Sequence, residues 1–250
     1  MIKLKNKQQL ELMKEAGRIT GEVLYAAGER IREGITTKEL DEFIREFIER
    51  HGARPTFLGY GGFPGSACIS VNEQVIHGIP SDKVILKDGD IVKIDVGAEY
   101  KGFTGDSACT FPVGNVSREA KKLIEVTRES FYRGIANAVP GKRVGDIGYG
   151  IESYVEENGF SVVRAYVGHG VGHDLHEDPE IPNYGVPGRG VRLCQGMTIA
   201  VEPMVNIGGH QVKVLDDKWT VVTADGSLSA HYEHSVAITD DGPLLLTKVC

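Results

Sequence analysis

The sequence predicts an α+β fold in two related halves. Helical periodicity and short β-type runs follow one another twice along the chain, two separate segments repeat at a single offset, and no linker-like or low-complexity stretch divides the residues. Residues 7–33 read as a helix, with Leu12, Ala16, Ile19, Val23 and Leu24 at helical spacing. Residues 36–51 read as a second helix. Thr36 or Thr37 serves as its N-cap, Leu40, Phe43, Ile44, Phe47 and Ile48 form its buried stripe, and Gly52 sits just past its end. Strand runs follow at 67–71, 91–96 and 107–113. Helical spacing returns at 117–138 and 144–158. Further strand runs come at 161–167, 197–206, 219–223 and 231–238.

The repeat is specific. Leu40, Ile44, Phe47 and Gly52 match Ile147, Ile151, Tyr154 and Gly159 at an offset of 107 residues. The same offset aligns Leu86-Lys-Asp-Gly-Asp-Ile-Val-Lys-Ile-Asp95 with Leu193-Cys-Gln-Gly-Met-Thr-Ile-Ala-Val-Glu202, with no gap. Amphipathic helices resemble one another by chance, but that explains the second match less well. The repeat aligns Asp95 with Glu202, each closing an apolar run. One domain over 1–250 is expected, with halves at about 8–115 and 116–248.

Composition narrows the function. Of 250 residues, 28 are Lys or Arg and 35 are Asp or Glu, so the formal net charge is −7, which argues against nucleic-acid recognition. Hydrophobic residues at 41% and charged residues at 25% fit a folded protein rather than a disordered one. No run approaches the roughly 18 apolar residues of a membrane span. The N-terminal Met-Ile-Lys-Leu-Lys-Asn-Lys lacks the apolar core of a secretory signal. Cys68, Cys109, Cys194 and Cys250 are far apart, which disfavours a disulfide framework or a zinc ribbon and fits reduced thiols in the cytoplasm.

Acids stand where apolar strands should be buried. Asp95 follows Ile91-Val-Lys-Ile, and a turn near Tyr100-Lys-Gly102 leads back to Asp106. With an even-length loop the two carboxylates share a sheet face, where they repel unless positive charge lies between them. Glu202 precedes Pro203, which ends the ladder there. Glu233 interrupts another strand run. Read singly, each acid also fits a surface hairpin or an edge strand facing water; four in strand context make that reading less attractive. Gly168-His-Gly-Val-Gly-His-Asp-Leu-His176 holds three histidines among glycines, which excludes a helical H-E-x-x-H zinc site but lets an imidazole approach a metal closely. His77, before Gly-Ile-Pro, reads alone as a structural histidine sooner than a catalytic one. Two Asp, two Glu and one His carry too much negative charge for one divalent ion and suit a bridged pair.

These residues resemble the methionine aminopeptidase family, in its short bacterial type 1 form. The resemblance rests on Asp95, Asp106, His169, Glu202 and Glu233 in that order. It also rests on Cys68-Ile-Ser-Val-Asn-Glu, His77-Gly-Ile-Pro, Gly89-Asp-Ile-Val-Lys-Ile-Asp95, Gly168-His-Gly-Val-Gly, Glu202-Pro-Met and Tyr232-Glu-His, and it runs from about 8 to 248. It implies the pita-bread fold, two pseudo-symmetric αβ halves with antiparallel sheet and metals in the central cleft. It implies two divalent ions (Co, Mn, Fe or Zn), Asp95 on one, His169 on the other, and Asp106 and Glu233 between them. Glu202 would bind metal and shuttle a proton, and His77 and His176 would contact substrate and the tetrahedral intermediate. The methionine pocket would be Phe57, Tyr60, Phe63, Cys68, Leu175 and Trp219, which without the resemblance read as ordinary core. Phe57, Phe63 and Leu175 depart from the family's best-known members, so pocket shape is less defined than the metal site. His173 is either a support for the site or an ordinary loop residue.

The implied activity is removal of the initiator methionine from nascent chains whose second residue is small and uncharged. The implied setting is a cytoplasmic monomer without membrane or nucleic-acid partners. Transient ribosome contact is an expectation with no sequence feature of its own. The alternatives are an X-Pro aminopeptidase or prolidase, whose large N-terminal domain has no counterpart here, a non-catalytic pita-bread binding module, and a metal-binding protein without peptidase activity.

Overall fold

A computed structural model describes residues 1–248; Cys250 lies outside the described residues. Helix α1, Lys7–Gly28, starts at Asn6, whose side chain and that of Gln9 cap each other's backbone. It buries Met13, Ala16, Ile19 and Val23. The helix stops five residues short of the expected end. After Gly28 the bonds tighten to three-residue spacing, Arg30 N–H to the Ala27 carbonyl and Ile31 N–H to that of Gly28, so the apolar spacing through Ile31 outlasts the helix itself. Helix α2, Thr37–Arg50, has a reciprocal Thr36–Glu39 cap and ends at His51, with Gly52 left-handed at φ 68°. Leu40, Ile44 and Ile48 are buried, whereas Phe43 and Phe47 are only half-buried. Helices α3, Arg118–Ile135, and α4, Val144–Glu157, pack in the second half over Leu123, Phe131, Ile147 and Ile151.

The strands are β1 Arg54–Pro55, β2 Ala67–Val71, β3 Gln74–Ile76, β4 Ile91–Tyr100 and β5 Phe103–Pro112, then β6 Ser161–Val162, β7 Gly168–Gly170 and β8 Glu177–Ile181. After these come β9 Thr198–Val201, β10 Met204–Asn206, β11 Val212–Val214, β12 Val221–Thr223, β13 Ser229–His231, β14 His234–Thr239 and β15 Gly242–Leu245. In the first half β4 pairs with β1, β2 and β5, all antiparallel. In the second half five strands run in the order β15-β14-β9-β7-β8.

Strand expectations change as well. The 161–167 run forms only the two-residue β6. The 231–238 run breaks at Tyr232 and Glu233, because the Tyr232 and Glu233 N–H groups turn away to the Pro203 and Ala108 carbonyls. Strand β4 continues past Val96 to Tyr100, because Lys101 and Gly102, both at positive φ, close a two-residue hairpin that pairs it along its full length with β5. Strands β1, β3, β8, β11 and β15 are too short, too polar or too Pro-containing to show an alternating pattern.

The 107-residue offset recurs in the backbone. Isolated bridges join Thr36 to Ile85 and Arg143 to Arg192. Gly34 N–H reaches the Leu86 carbonyl at 2.9 Å, and Gly141 N–H reaches that of Leu193 at 3.0 Å. The halves meet along β5 and the β13–β14 segment. Glu233 N–H donates to the Ala108 carbonyl (2.9 Å), Asp106 N–H donates to Ser235 Oγ (2.9 Å), and Thr110 Oγ1 donates to the His231 carbonyl (2.8 Å). That seam sets Asp106 and Glu233 side by side.

Candidate metal centre

Each acid is presented by a specific backbone feature. Asp95 lies mid-strand in β4 opposite Ala108, and Asp106 lies in β5 opposite Gly97. Side chains two apart on one strand share a face, so the register puts both carboxylates on the same side. Glu202 occupies the break between β9 and β10 that Pro203 enforces, and Glu233 the break between β13 and β14. His169 is the middle residue of β7, flanked by glycines whose missing side chains give way to backbone: a Cβ at Gly168 would stand 2.3 Å from the Ala200 carbonyl oxygen.

These five side chains face one cavity of about 200 Å³. Ligand atoms of Asp106, His169 and Glu233 lie within 4.8 Å of one another. His169 Nε2 is 3.6 Å from Asp106 Oδ2 and 3.5 Å from Glu202 Oε1. Its Nδ1 is 2.9 Å from the Gly170 carbonyl oxygen. A carbonyl only accepts, so the proton sits on Nδ1 and the Nε2 lone pair faces the carboxylates, the tautomer a metal requires.

The electrostatics are severe. Burial and the neighbouring Asp106 push Asp95 well above the usual carboxylate range. Burial raises Asp106 to about 7 despite the Ser107 N–H. Burial and the surrounding acids push Glu202 and Glu233 well up. Asp95 Oδ1, Asp106 Oδ1 and Glu233 Oε1 are buried without a hydrogen-bond partner. Oxygens this crowded and unpaired are unfavourable alone and fit divalent cations, whose positive charge removes the repulsion and supplies the missing partner.

His77 and His176 border the same cavity. Burial, helped by His176, lowers His77 to about 4, and burial lowers His176 as well, so both are neutral near pH 7. Tyr60 Oη is 2.7 Å from His176 Nδ1, and the His176 ring lies 4.2 Å from that of His169. Phe57, Phe63, Cys68 and Leu175 form a buried apolar cluster with Trp219 packed against it, and Phe63 meets Trp219 edge-on at 5.2 Å. Tyr60 is more exposed. All thirteen expected residues thus border one space. His173 does not: it stacks on Phe103 at 4.1 Å, and its Nδ1 bonds the Gly102 carbonyl at the β4–β5 turn.

Sequence reasoning passed over three neighbours. Tyr166 borders the cavity and meets the His77 ring edge-on at 5.8 Å. Lys93, fully buried, donates from Nζ to the Asn72 carbonyl at 2.7 Å, and burial draws it down to about 7. His231 lies behind Glu202 and Glu233 at 4.0 and 3.9 Å. A histidine two positions before an acid in a strand run was the available signal for it.

Known proteins resemble the chain in sequence and fold. A sequence profile described as metallopeptidase family M24 matches residues 11–240. A methionine aminopeptidase from Clostridium perfringens is 58% identical over 249 residues, covering 100% of both chains. The crystal structure of a methionine aminopeptidase from Thermotoga maritima superposes with a TM-score of 0.98 at 46% identity, covering 100% of both chains. A prolidase from Pyrococcus furiosus shares the fold at a TM-score of 0.80 and 26% identity, but this chain covers 66% of it.

Proposed function

The chain belongs to metallopeptidase family M24, and from that premise we propose how its own side chains perform the reaction. The fold is pita-bread α+β, and the activity is metal-dependent hydrolysis that removes an N-terminal methionine from peptides. In our reading 1–250 is one catalytic domain. Asp95, Asp106, His169, Glu202 and Glu233 would hold two divalent ions. Bound there, the ions would supply Lewis-acid polarisation of the scissile carbonyl and would acidify the attacking water toward a pKa of about 7.

The protein groups do the rest. The Phe57, Phe63, Cys68, Leu175 and Trp219 wall receives the methionine side chain, and its apolar, partly sulfur lining suits an unbranched thioether. Glu202 takes a proton from the attacking water and delivers it to the departing amide nitrogen. Tyr60 Oη lies 2.7 Å from His176 Nδ1, and in this reading its hydroxyl donates there and leaves the imidazole proton on Nε2. His176 and His77 then donate N–H groups to the oxygen of the tetrahedral intermediate.

The observation that carries this reading is the meeting of five ligand-type side chains, three with unpaired buried oxygens, beside an apolar cavity. Hydrolysis of Met-Ala-Ser against Met-Leu-Ser, before and after chelation and with metal restored, tests it. Chelator-sensitive cleavage of the first peptide alone is expected. Equal cleavage of both sinks the small-second-residue preference. Cleavage of X-Pro peptides instead points to a prolidase-like enzyme, and no turnover with metal bound points to a binding module. We further propose cobalt, manganese, iron or zinc as the metal, nascent chains in the cytoplasm as substrates, a monomeric state and transient ribosome contact. Sedimentation alone and with ribosomes tests the last two. Among the described residues no helix is long and apolar enough to cross a membrane.

A further inference from the structure

His231 is the most conspicuous buried polar group that the reaction does not use. It is 1% exposed, and neither ring nitrogen has a hydrogen-bond partner. Burying an imidazole with both nitrogens unpaired is unfavourable, so its surroundings must offer a partner in the working protein. The ring cannot withdraw, because its backbone is pinned from both halves. The His231 N–H donates to Thr110 Oγ1 (2.8 Å), Thr110 Oγ1 donates to the His231 carbonyl (2.8 Å), and Met204 pairs with it in the ladder.

Two acceptors stand near it. Nε2 is 4.0 Å from Glu202 Oε2 and 3.9 Å from Glu233 Oε2, about 1 Å longer than an N–H···O hydrogen bond. Turning a carboxylate about its last side-chain torsion, a soft rotation, changes such a gap. The two oxygens of Glu202 already differ. Oε1 faces His169 Nε2 at 3.5 Å, while Oε2 faces His231. A neutral imidazole carries one N–H donor and one acceptor, and an ionised carboxylate offers only acceptors.

We propose that His231 is a positioning residue of the metal centre, whose Nε2–H donates to the outer oxygens of Glu202 and Glu233 and so turns Glu202 Oε1 toward the ligand set. The proposal rests on the five-residue ligand reading above. It gives Glu202, which must both bind and carry a proton, a fixed inner oxygen. The arrangement is the carboxylate–imidazole support that tunes metal sites from behind.

The test uses His231→Leu and His231→Gln, each stripped of metal and titrated with cobalt(II) by calorimetry. His231→Leu is expected to weaken cobalt binding about 10- to 100-fold, the usual cost of removing such a support. His231→Gln, which keeps an N–H donor, recovers most of that loss. For Met-Ala-Ser, kcat falls in the Leu variant while KM holds, since His231 lies outside the methionine pocket. Wild-type cobalt affinity in the Leu variant, or a Gln variant as weak as Leu, overturns the proposal. If the Leu protein does not fold, nitrogen-15 histidine spectra of the zinc-loaded wild type decide. An Nε2 proton on His231 that exchanges slowly with solvent is expected, and a proton on Nδ1 instead overturns it. Wild-type protein that binds cobalt but cleaves no methionine peptide would count against the peptidase reading and leave this affinity comparison intact.

Discussion

The two halves solve one structural problem in two ways. Each presents a pair of acids from an antiparallel strand pair, β4 with β5 in the first half and β9 with β14 in the second. In the first, Lys101 and Gly102 close the pair, and both acids sit inside unbroken strands. In the second, Val201 pairs with His234, and everything between, residues 202–233, is an excursion that leaves and returns at the two glutamates. That excursion carries β10 to β13 and delivers Trp219 to the cavity wall. The first half is therefore scaffold with its acids built in. The second is scaffold opened at its acids, and the opening adds Trp219 to a cavity wall that the first half lines with Phe57, Tyr60, Phe63, Cys68 and His77. The bonds from Glu233 to Ala108 and from Asp106 to Ser235 hold the halves in register.

Variants can break or sharpen that contrast. Glu202→Gln, at the opening, removes the proposed proton carrier and is expected to lower kcat about 10²- to 10⁴-fold. The melting temperature of its metal-free form should not fall, because one of several mutually repelling carboxylates is gone. A small loss of kcat, or a clear loss of stability, would make Glu202 structural. Next in size, Trp219→Ala removes the wall that the excursion brings. Steady-state kinetics should show kcat/KM for Met-Ala-Ser falling by at least about 10-fold, chiefly through KM. A pure kcat effect would place Trp219 with the reacting groups instead.

The third variant concerns the loop that carries Leu175 and His176. Lys5 Nζ meets Glu177 Oε2 at 2.5 Å with both side chains 3% exposed, and Glu177 Oε1 accepts the His173 N–H at 3.0 Å. Glu177→Gln leaves Lys5 buried beside a neutral partner. It should cost roughly 3 kcal/mol by urea unfolding. Burial alone would raise the Glu177 carboxyl, but the hydrogen bond and charge of Lys5 outweigh it and hold it below its usual 4.5. A folded pKa below the unfolded one means this stability is present at neutral pH and fades as pH falls below about 4.5. In the Gln variant that part of the acid sensitivity should vanish; an unchanged pH–stability curve would contradict the pairing. The smallest effect is expected at the scaffold turn. Gly102→Ala, at φ 82°, should cost about 1 kcal/mol and leave kcat as it was. A large drop in kcat there would mean that the β4–β5 turn is not passive support.

The same contrast explains what could be read from the residues alone. Asp95 and Asp106 are legible because β4 and β5 are long, regular and joined by a Lys-Gly turn, so parity alone assigns their common face. Glu202 is legible from the proline that follows it. The pairing of β9 with β14 is not, because nothing local says that Val201 meets His234 across an excursion of such length. Helix α1 is legible in its buried face but not in its end, where Gly28 weakens a pattern that Ile31 continues. His231 was hidden because its neighbours are set by the seam between halves, not by its own strand. The pocket residues looked like core because they are core: Phe57, Phe63, Cys68 and Leu175 are nearly buried, and only their border with the acids distinguishes them.

The central claim is that these five side chains gather divalent cations beside an apolar pocket. Anomalous diffraction from crystals soaked in cobalt(II) or manganese(II) tests it most directly. The account predicts two peaks within bonding distance of Asp95, Asp106, His169, Glu202 and Glu233. Peaks elsewhere on the molecule, or none among those side chains, would contradict it.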